Sequence, residues 1–240
     1  MKKHVQHGNW ARDARIKTLN GGIGQVQTLV TQKKESVNRA EEAKKIGVVY
    51  KLLSKAFIRE VDAKFLKQLR TECFYESLKN VGIDFGDEFL SQNEEELLEN
   101  MAVEYARLFI VPGISFSPYE SVYTEEMLCG ESTKQVGDFY RKCGVEIVDK
   151  TFLPDHIGLE LELMSYLKQK EAESWQDGGQ DTSTKWMGLQ KEFVREHLGK
   201  WAPRFFGLVE QGAEYLFYKG MAPLAKQILK LEIGEDDDQG

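Results

Sequence analysis

An all-α domain of about eight to ten helices is the fold class this sequence predicts, and three observations predict it. Apolar residues recur at three- and four-residue spacing from about residue 36 to about residue 231. The breaks between these stretches carry helix-terminating residues, as in Pro112-Gly113, Gly144 and Asp177-Gly178-Gly179. Alternation of polar and apolar residues of useful length for a strand is absent.

The elements follow in order. Residues 36–58 place Val37, Ala40, Ala43, Ile46, Val49, Leu52, Leu53 and Phe57 on one face, and residues 62–79 do the same with Phe65, Leu66, Leu69, Cys73, Phe74 and Leu78. Ser91-Gln92-Asn93-Glu94 reads as a capping box for a helix running through Leu97, Met101, Tyr105, Leu108 and Phe109 to Pro112-Gly113. A helix over 131–143 is closed by Gly144. The next is predicted to begin near Pro154, whose missing N–H suits a first helical position, with Asp155 in the first turn complementing the helix dipole. Ile157, Leu161, Leu163, Met164 and Leu167 form its apolar side, leaving Asp155 and His156 at its open end. Helices over 183–199, 203–218 and 221–231 complete the expected domain, and no internal repeat is present.

Composition bounds the rest. A chain of 240 residues, 41% apolar and 30% charged, can bury one full-sized core. No apolar run approaches the ~20 residues of a membrane span, and no apolar stretch of a secretion signal follows the N-terminal lysines, so a cytoplasmic protein without an integral membrane segment is expected. Cys73, Cys129 and Cys143 form no CxxC pair and are odd in number, against a disulfide framework or zinc knuckle. Residues 1–40 hold eight Lys or Arg against Asp13 and Glu35, a balance of +6, which leaves the other 200 residues at −13. The reading is a basic, flexible extension over 1–35, one helical domain over 36–232 with a hinge near 177–182, and an acidic tail over 233–240. The acidic body speaks against nucleic acid as a partner.

Most candidates for chemistry fail on residue type. His156 and Glu160 stand four apart, a spacing that could hold a metal, but only four histidines exist and His4 and His7 lie in the extension. Gly21-Gly22-Ile23-Gly24 follows no strand and lacks a Lys-Ser/Thr ending, so a phosphate loop is not supported. Cys143 or Ser121 could pair with His156 as nucleophile and base, but neither sits in a nucleophile elbow. Two segments remain. Tyr105, Leu108 and Phe109 lead towards a Pro-bounded loop, Pro118-Tyr119-Glu120-Ser121-Val122-Tyr123, with the composition of an apolar groove bearing polar handles. The Pro154-Asp155-His156 corner is the other.

These segments together carry a resemblance. Tyr105-x-x-Leu108-Phe109, Pro118-Tyr119-Glu120-Ser121-Val122-Tyr123 and Pro154-Asp155-His156-Ile157-x-x-Glu160-Leu161-x-x-Met164, with the later His197-Leu198-x-x-Trp201-x-Pro203, resemble the TorD/DmsD family of cytoplasmic chaperones for molybdoenzymes. The resemblance spans about residues 45–230. It implies an all-helical fold without catalysis or a cofactor of its own. It also implies a partner: the precursor of a molybdopterin-dependent oxidoreductase catalytic subunit, held through its twin-arginine signal peptide or its body while cofactor is inserted before export. Guanine nucleotide is left open, since no loop here predicts it, as is a homodimer formed by exchanging helices about the 177–182 hinge.

A twin-arginine leader presents two guanidinium groups and then an apolar segment, so its receptor needs carboxylates beside a hydrophobic groove. Asp155 and Glu120 are expected to supply charge, with Pro154 at the corner, His156 as a pH-sensitive neighbour and Glu160 at the rim. Tyr105, Leu108, Phe109, Pro118, Tyr119, Ser121, Val122 and Tyr123 are expected to supply the groove. For Asp155 the other reading is a dipole-stabilised carboxylate only. His197, Trp201 and Pro203 are expected to be scaffold. Two alternative functions stand beside the chaperone: a metal- or thiol-dependent helical enzyme using His156, and a helical regulatory protein that binds a folded partner.

Overall fold

In the computed structural model the described residues are 16–80, 82–112 and 116–234, of which 16–32 are described as backbone alone. The first fifteen residues of the basic extension and the acidic tail from residue 235 lie outside them. Eleven α-helices and one π-helical turn make up the described chain, and its only strand-like pairing is an isolated bridge. The all-α reading therefore holds.

The two longest helices form the spine. Helix α1 runs Ile16–Ile58 and helix α8 runs Ile157–Gln176. They lie antiparallel, since Ile58 meets Gly158, the Ser165 hydroxyl donates to the Gly47 carbonyl at 2.8 Å, and the Arg39 guanidinium covers the Trp175 ring at 4.9 Å. Small residues allow the approach: a Cβ on Gly158 would stand 2.6 Å from the Ile58 Cα, and one on Gly47 3.2 Å from the Lys168 Cβ. Helix α1 begins twenty residues before the apolar stripe that predicts it, so residues 16–35 are helical where an irregular extension was expected.

Around the spine stand α2 (Ala63–Leu69), α3 (Glu72–Asn80), α4 (Asp87–Ser91), α5 (Glu94–Phe109), α6 (Glu120–Glu125), α7 (Glu131–Lys142), α9 (Gln180–Phe193), the π turn Val194–Leu198, α10 (Gly199–Gly212) and α11 (Leu216–Ile233). The core gathers on Phe57, whose ring lies 5.1–6.1 Å from those of Phe109, Phe205, Phe206 and Tyr218.

Several boundaries differ from those read in the sequence. The expected helix over 62–79 is two, α2 and α3, because the chain turns at Arg70, whose guanidinium is drawn to the Phe89 and Gln92 carbonyls at 2.7 and 2.8 Å. Asn93, not Ser91, caps α5, accepting from the Glu95 and Glu96 amides. Pro203 lies inside α10, which opens at Gly199 and not at the expected residue 203, and Pro223 lies inside α11. Helix α11 starts earlier because the Glu104 carboxylate of α5 accepts from the amides of Glu214 and Tyr215, at 2.6 and 3.1 Å.

Candidate functional site

Both sequence motifs converge on one corner. His156 is the N-cap of α8, its Nδ1 accepting from the Gly158 amide at 3.0 Å, so α8 opens at Ile157 and not at Pro154. That bond leaves the ring proton of neutral His156 on Nε2. The segment 118–120 runs antiparallel to 155–157: the Glu120 amide donates to the Asp155 carbonyl at 3.0 Å and the Ile157 amide to the Pro118 carbonyl at 2.8 Å. The Tyr119 and Phe152 rings pack on the His156 imidazole at 4.9 and 4.8 Å.

Asp155 does not belong to the first turn of α8. Its side chain is fully buried and its Oδ2 accepts from the Ser121 amide at 3.0 Å, so it caps α6 from a distant part of the chain. The expectation of an exposed carboxylate at the helix mouth is corrected here, and so is that of a rim position for Glu160. Glu160 is fully buried one turn into α8, with its Oε2 accepting from the Trp201 indole N–H at 3.3 Å. Glu120, also buried, receives the His197 imidazole, whose Nδ1 stands 3.2 Å from one carboxylate oxygen and 3.3 Å from the other. The π turn brings His197 inward to this contact. His197 and Trp201 thus stand directly behind the 118–123 loop.

Burial also corrects the expectation that His156 responds to pH near neutrality. Desolvation of the imidazolium pushes its pKa down to about 3, so the ring stays neutral through the ordinary range.

In front of this buried layer lies an open cleft of about 570 Å³. The link Ile58-Arg59-Glu60-Val61-Asp62 forms one side, Tyr105, Phe109 and Ile110 the floor, and Pro118, Tyr119, Phe152 and His156 the other side. The Tyr105 hydroxyl donates to the Ile58 carbonyl at 3.3 Å, fixing floor to rim. Burial holds the Tyr105 and Tyr119 phenols above their ordinary pKa, so both remain neutral O–H groups. Arg59 is already engaged: its guanidinium pairs with Asp149 at 2.8 Å and covers the Phe152 ring at 5.5 Å. The exposed Glu60 and Asp62 set the sign of the rim.

Tyr105, Phe109, Pro118, Tyr119 and His156 are therefore brought together as expected, whereas other expected groove residues are not. Leu108 is in the core, Tyr123 packs on Trp201 at 5.3 Å, and Val122, Pro154 and Ser121 do not line the cleft. Sequence reading missed Glu60, Asp62 and Phe152. Asp62 carried a usable signal, because an Asp three residues before Phe65 at a helical break is an N-cap, and it accepts from the Phe65 amide at 2.7 Å.

The enzyme alternative loses its residues to structural bonds. His156 Nδ1 and Glu160 Oε2 accept from Gly158 and Trp201, and among the described residues no group of three or more His, Cys, Asp or Glu side chains could hold a metal ion. The Cys143 thiol is pushed up to about 11 by burial, opposite to an activated nucleophile.

The fold and site define a helical protein whose buried polar residues are organised behind an open cleft. The nitrate reductase delta subunit family matches residues 71–207, and the chain belongs to that family, that of the TorD-type chaperones. The Chaperone protein TorD of Shewanella piezotolerans is 25% identical over 210 residues, covering 79% of this chain and 90% of that protein. The Chaperone protein YcdY of Escherichia coli is 27% identical over 157 residues, covering 64% and 76% respectively. Among solved structures, one described as a redox enzyme maturation protein from Archaeoglobus fulgidus superposes with a TM-score of 0.52 at 23% identity, covering 75% of this chain and 91% of that one, which shows the shared fold. The chain is accordingly a chaperone of this family and not an enzyme. No helix among the described residues is long and apolar enough to cross a membrane.

Proposed function

We propose that the chain is a cytoplasmic chaperone, acting without a cofactor of its own, that holds the precursor of a molybdopterin-dependent oxidoreductase through its twin-arginine signal peptide until cofactor is inserted. The cleft is the observation that carries this reading: aromatic walls of Tyr105, Phe109, Tyr119 and Phe152 beside the exposed carboxylates of Glu60 and Asp62. Guanidinium groups pair with carboxylates through charge-assisted hydrogen bonds, and the apolar segment that follows them in a leader needs a hydrophobic trough. The excess negative charge of the body draws a basic peptide toward it.

Titration calorimetry with a twin-arginine leader peptide tests the proposal. Binding at micromolar affinity is expected, weakened about tenfold (~1.4 kcal/mol) when both peptide arginines become glutamine, and equally when Glu60→Gln and Asp62→Asn are combined in the protein. Rising salt should weaken it further, because the rim carboxylates are exposed. An affinity indifferent to these changes, or no binding by the folded protein, would remove the signal peptide as the ligand.

A further inference from the structure

Behind the cleft, polar groups from five parts of the fold meet away from the surface. Glu120 comes from α6, Asp155 from the segment before α8, Glu160 from α8, His197 from the π turn and Trp201 from α10; Asp155 and Glu160 are fully buried and Glu120 is 2% exposed. Three donors reach the three carboxyl groups among the described residues. The Ser121 amide serves Asp155 Oδ2, the His197 ring serves Glu120, and the Trp201 indole serves Glu160 Oε2. Glu160 Oε1 and Asp155 Oδ1 have no hydrogen-bond donor among the described residues. The Glu160 carboxyl lies within hydrogen-bonding reach of the Glu120 carboxylate, with Asp155 next to it.

Two carboxyl groups in contact away from solvent are reconciled by one proton between them. We propose that Glu160 is a positioning residue of the cleft: it is held as a neutral carboxyl whose O–H donates to Glu120, and this buried proton keeps the 118–125 segment seated. The inference rests on the cleft being the binding site.

Burial, and then the charges of Glu120 and Asp155, push the Glu160 carboxyl well above the usual carboxylate range. The groups facing it are Glu120 and Asp155, His197 by way of Glu120, and from α7 the phenol of Tyr140, itself buried without a partner. None of these except His197 can offset a new negative charge. Losing the proton would therefore set like charges against each other at the root of α6. Glu120 is the first residue of α6 and Tyr119, its N-cap, is a wall of the cleft, so the strain falls on the wall. The neutral state at ordinary pH keeps the cleft formed, and the alkaline state opens it.

The test uses the full chain and its Glu160→Gln variant, whose amide can donate to Glu120 and accept from Trp201 without titrating. The Glu160 side-chain carbon is followed by NMR from pH 6 to 9, alongside amide exchange at Ser121 divided by its intrinsic base-catalysed rate. Expected are a neutral Glu160 at pH 7, and Ser121 protection that falls at least tenfold in the wild type as Glu160 ionises while staying constant in the variant. An ionised Glu160 at pH 7, or Ser121 protection that ignores the Glu160 titration, overturns the proposal. Both are read on the wild type alone should the variant fail to fold. Leader-peptide affinity should fall about tenfold, in the wild type only, across the pH interval in which Glu160 ionises. Absence of peptide binding to either protein, with titration and exchange as expected, would instead sink the binding reading and leave the positioning role standing.

Discussion

Replacing Gly158 with valine should cost about 3 kcal/mol of stability or more and loosen the cleft with it. A Cβ at this position would lie 2.6 Å from both the Cα and the Cβ of Ile58. The obstruction is backbone, so no rotamer of a neighbour relieves it, and α1 must move away from α8 at their closest point. Ile58 also accepts the Tyr105 hydroxyl and begins the acidic rim, so the displacement passes directly to the cleft floor. Gly158→Ala should fall between wild type and valine. Gly188 in α9 supplies the contrast, since nothing lies within 4 Å of its Cβ position. There alanine should stabilise by up to about 1 kcal/mol through helix propensity alone. Urea unfolding of the four proteins checks this; a wild-type midpoint for Gly158→Val would show that the two helices do not need their close approach.

Acid should destabilise the protein through His156 by on the order of 3–5 kcal/mol between pH 6.5 and pH 3. Burial holds the folded-state pKa at about 3, below the ordinary imidazole value of 6.5. At pH above 6.5 the ring is neutral in both states and the contribution is fully present. As pH falls below 6.5 the unfolded chain takes up a proton that the folded chain refuses, and stability declines until the folded ring also titrates. Glu160 has the opposite sign: its raised pKa favours the folded state at low pH and costs stability as pH rises above the unfolded carboxylate range. His156→Asn keeps a side-chain acceptor for the Gly158 amide and cannot titrate. The wild type should therefore lose stability relative to this variant by about 1.4 kcal/mol per pH unit below 6.5. Parallel stability curves from pH 7.5 to 4.5 would show that the imidazole opens to water.

The two residues of the Asp-His motif divide their work in a way that bears on function. His156 is both the cap of α8 and a wall of the cleft, while Asp155 holds α6 in place from behind. A change at Asp155 would act on a ligand through the loop it anchors, whereas Glu60 and Asp62 would act through contact. Comparing the salt dependence of binding in these variants separates the two effects, because only exposed charge is screened strongly.

Sequence alone determined the helical class, the apolar stripes of α1, α2, α3, α5 and α8, and the two segments that meet at the cleft. Those features depend on local spacing: Ile157, Leu161 and Met164 recur on one face whatever packs against it, and Asn93 lies immediately before its own helix. The family resemblance was legible for the same reason, as contiguous motifs survive in one dimension. Tertiary structure alone decided which polar residues face solvent. Asp155 looks like a first-turn carboxylate until Ser121, thirty-four residues earlier, claims it, and Glu160 looks like a rim residue until α10 brings Trp201 over it. Glu104 of α5 holds the amides that lead into α11, which opens at Leu216 and not at the expected residue 221. Each is a bond across a large sequence separation, so local periodicity contains no trace of it. Burial then sets the charge state: desolvation keeps His156 neutral and favours a neutral Glu160, and desolvation exists only once distant helices have closed around the side chain.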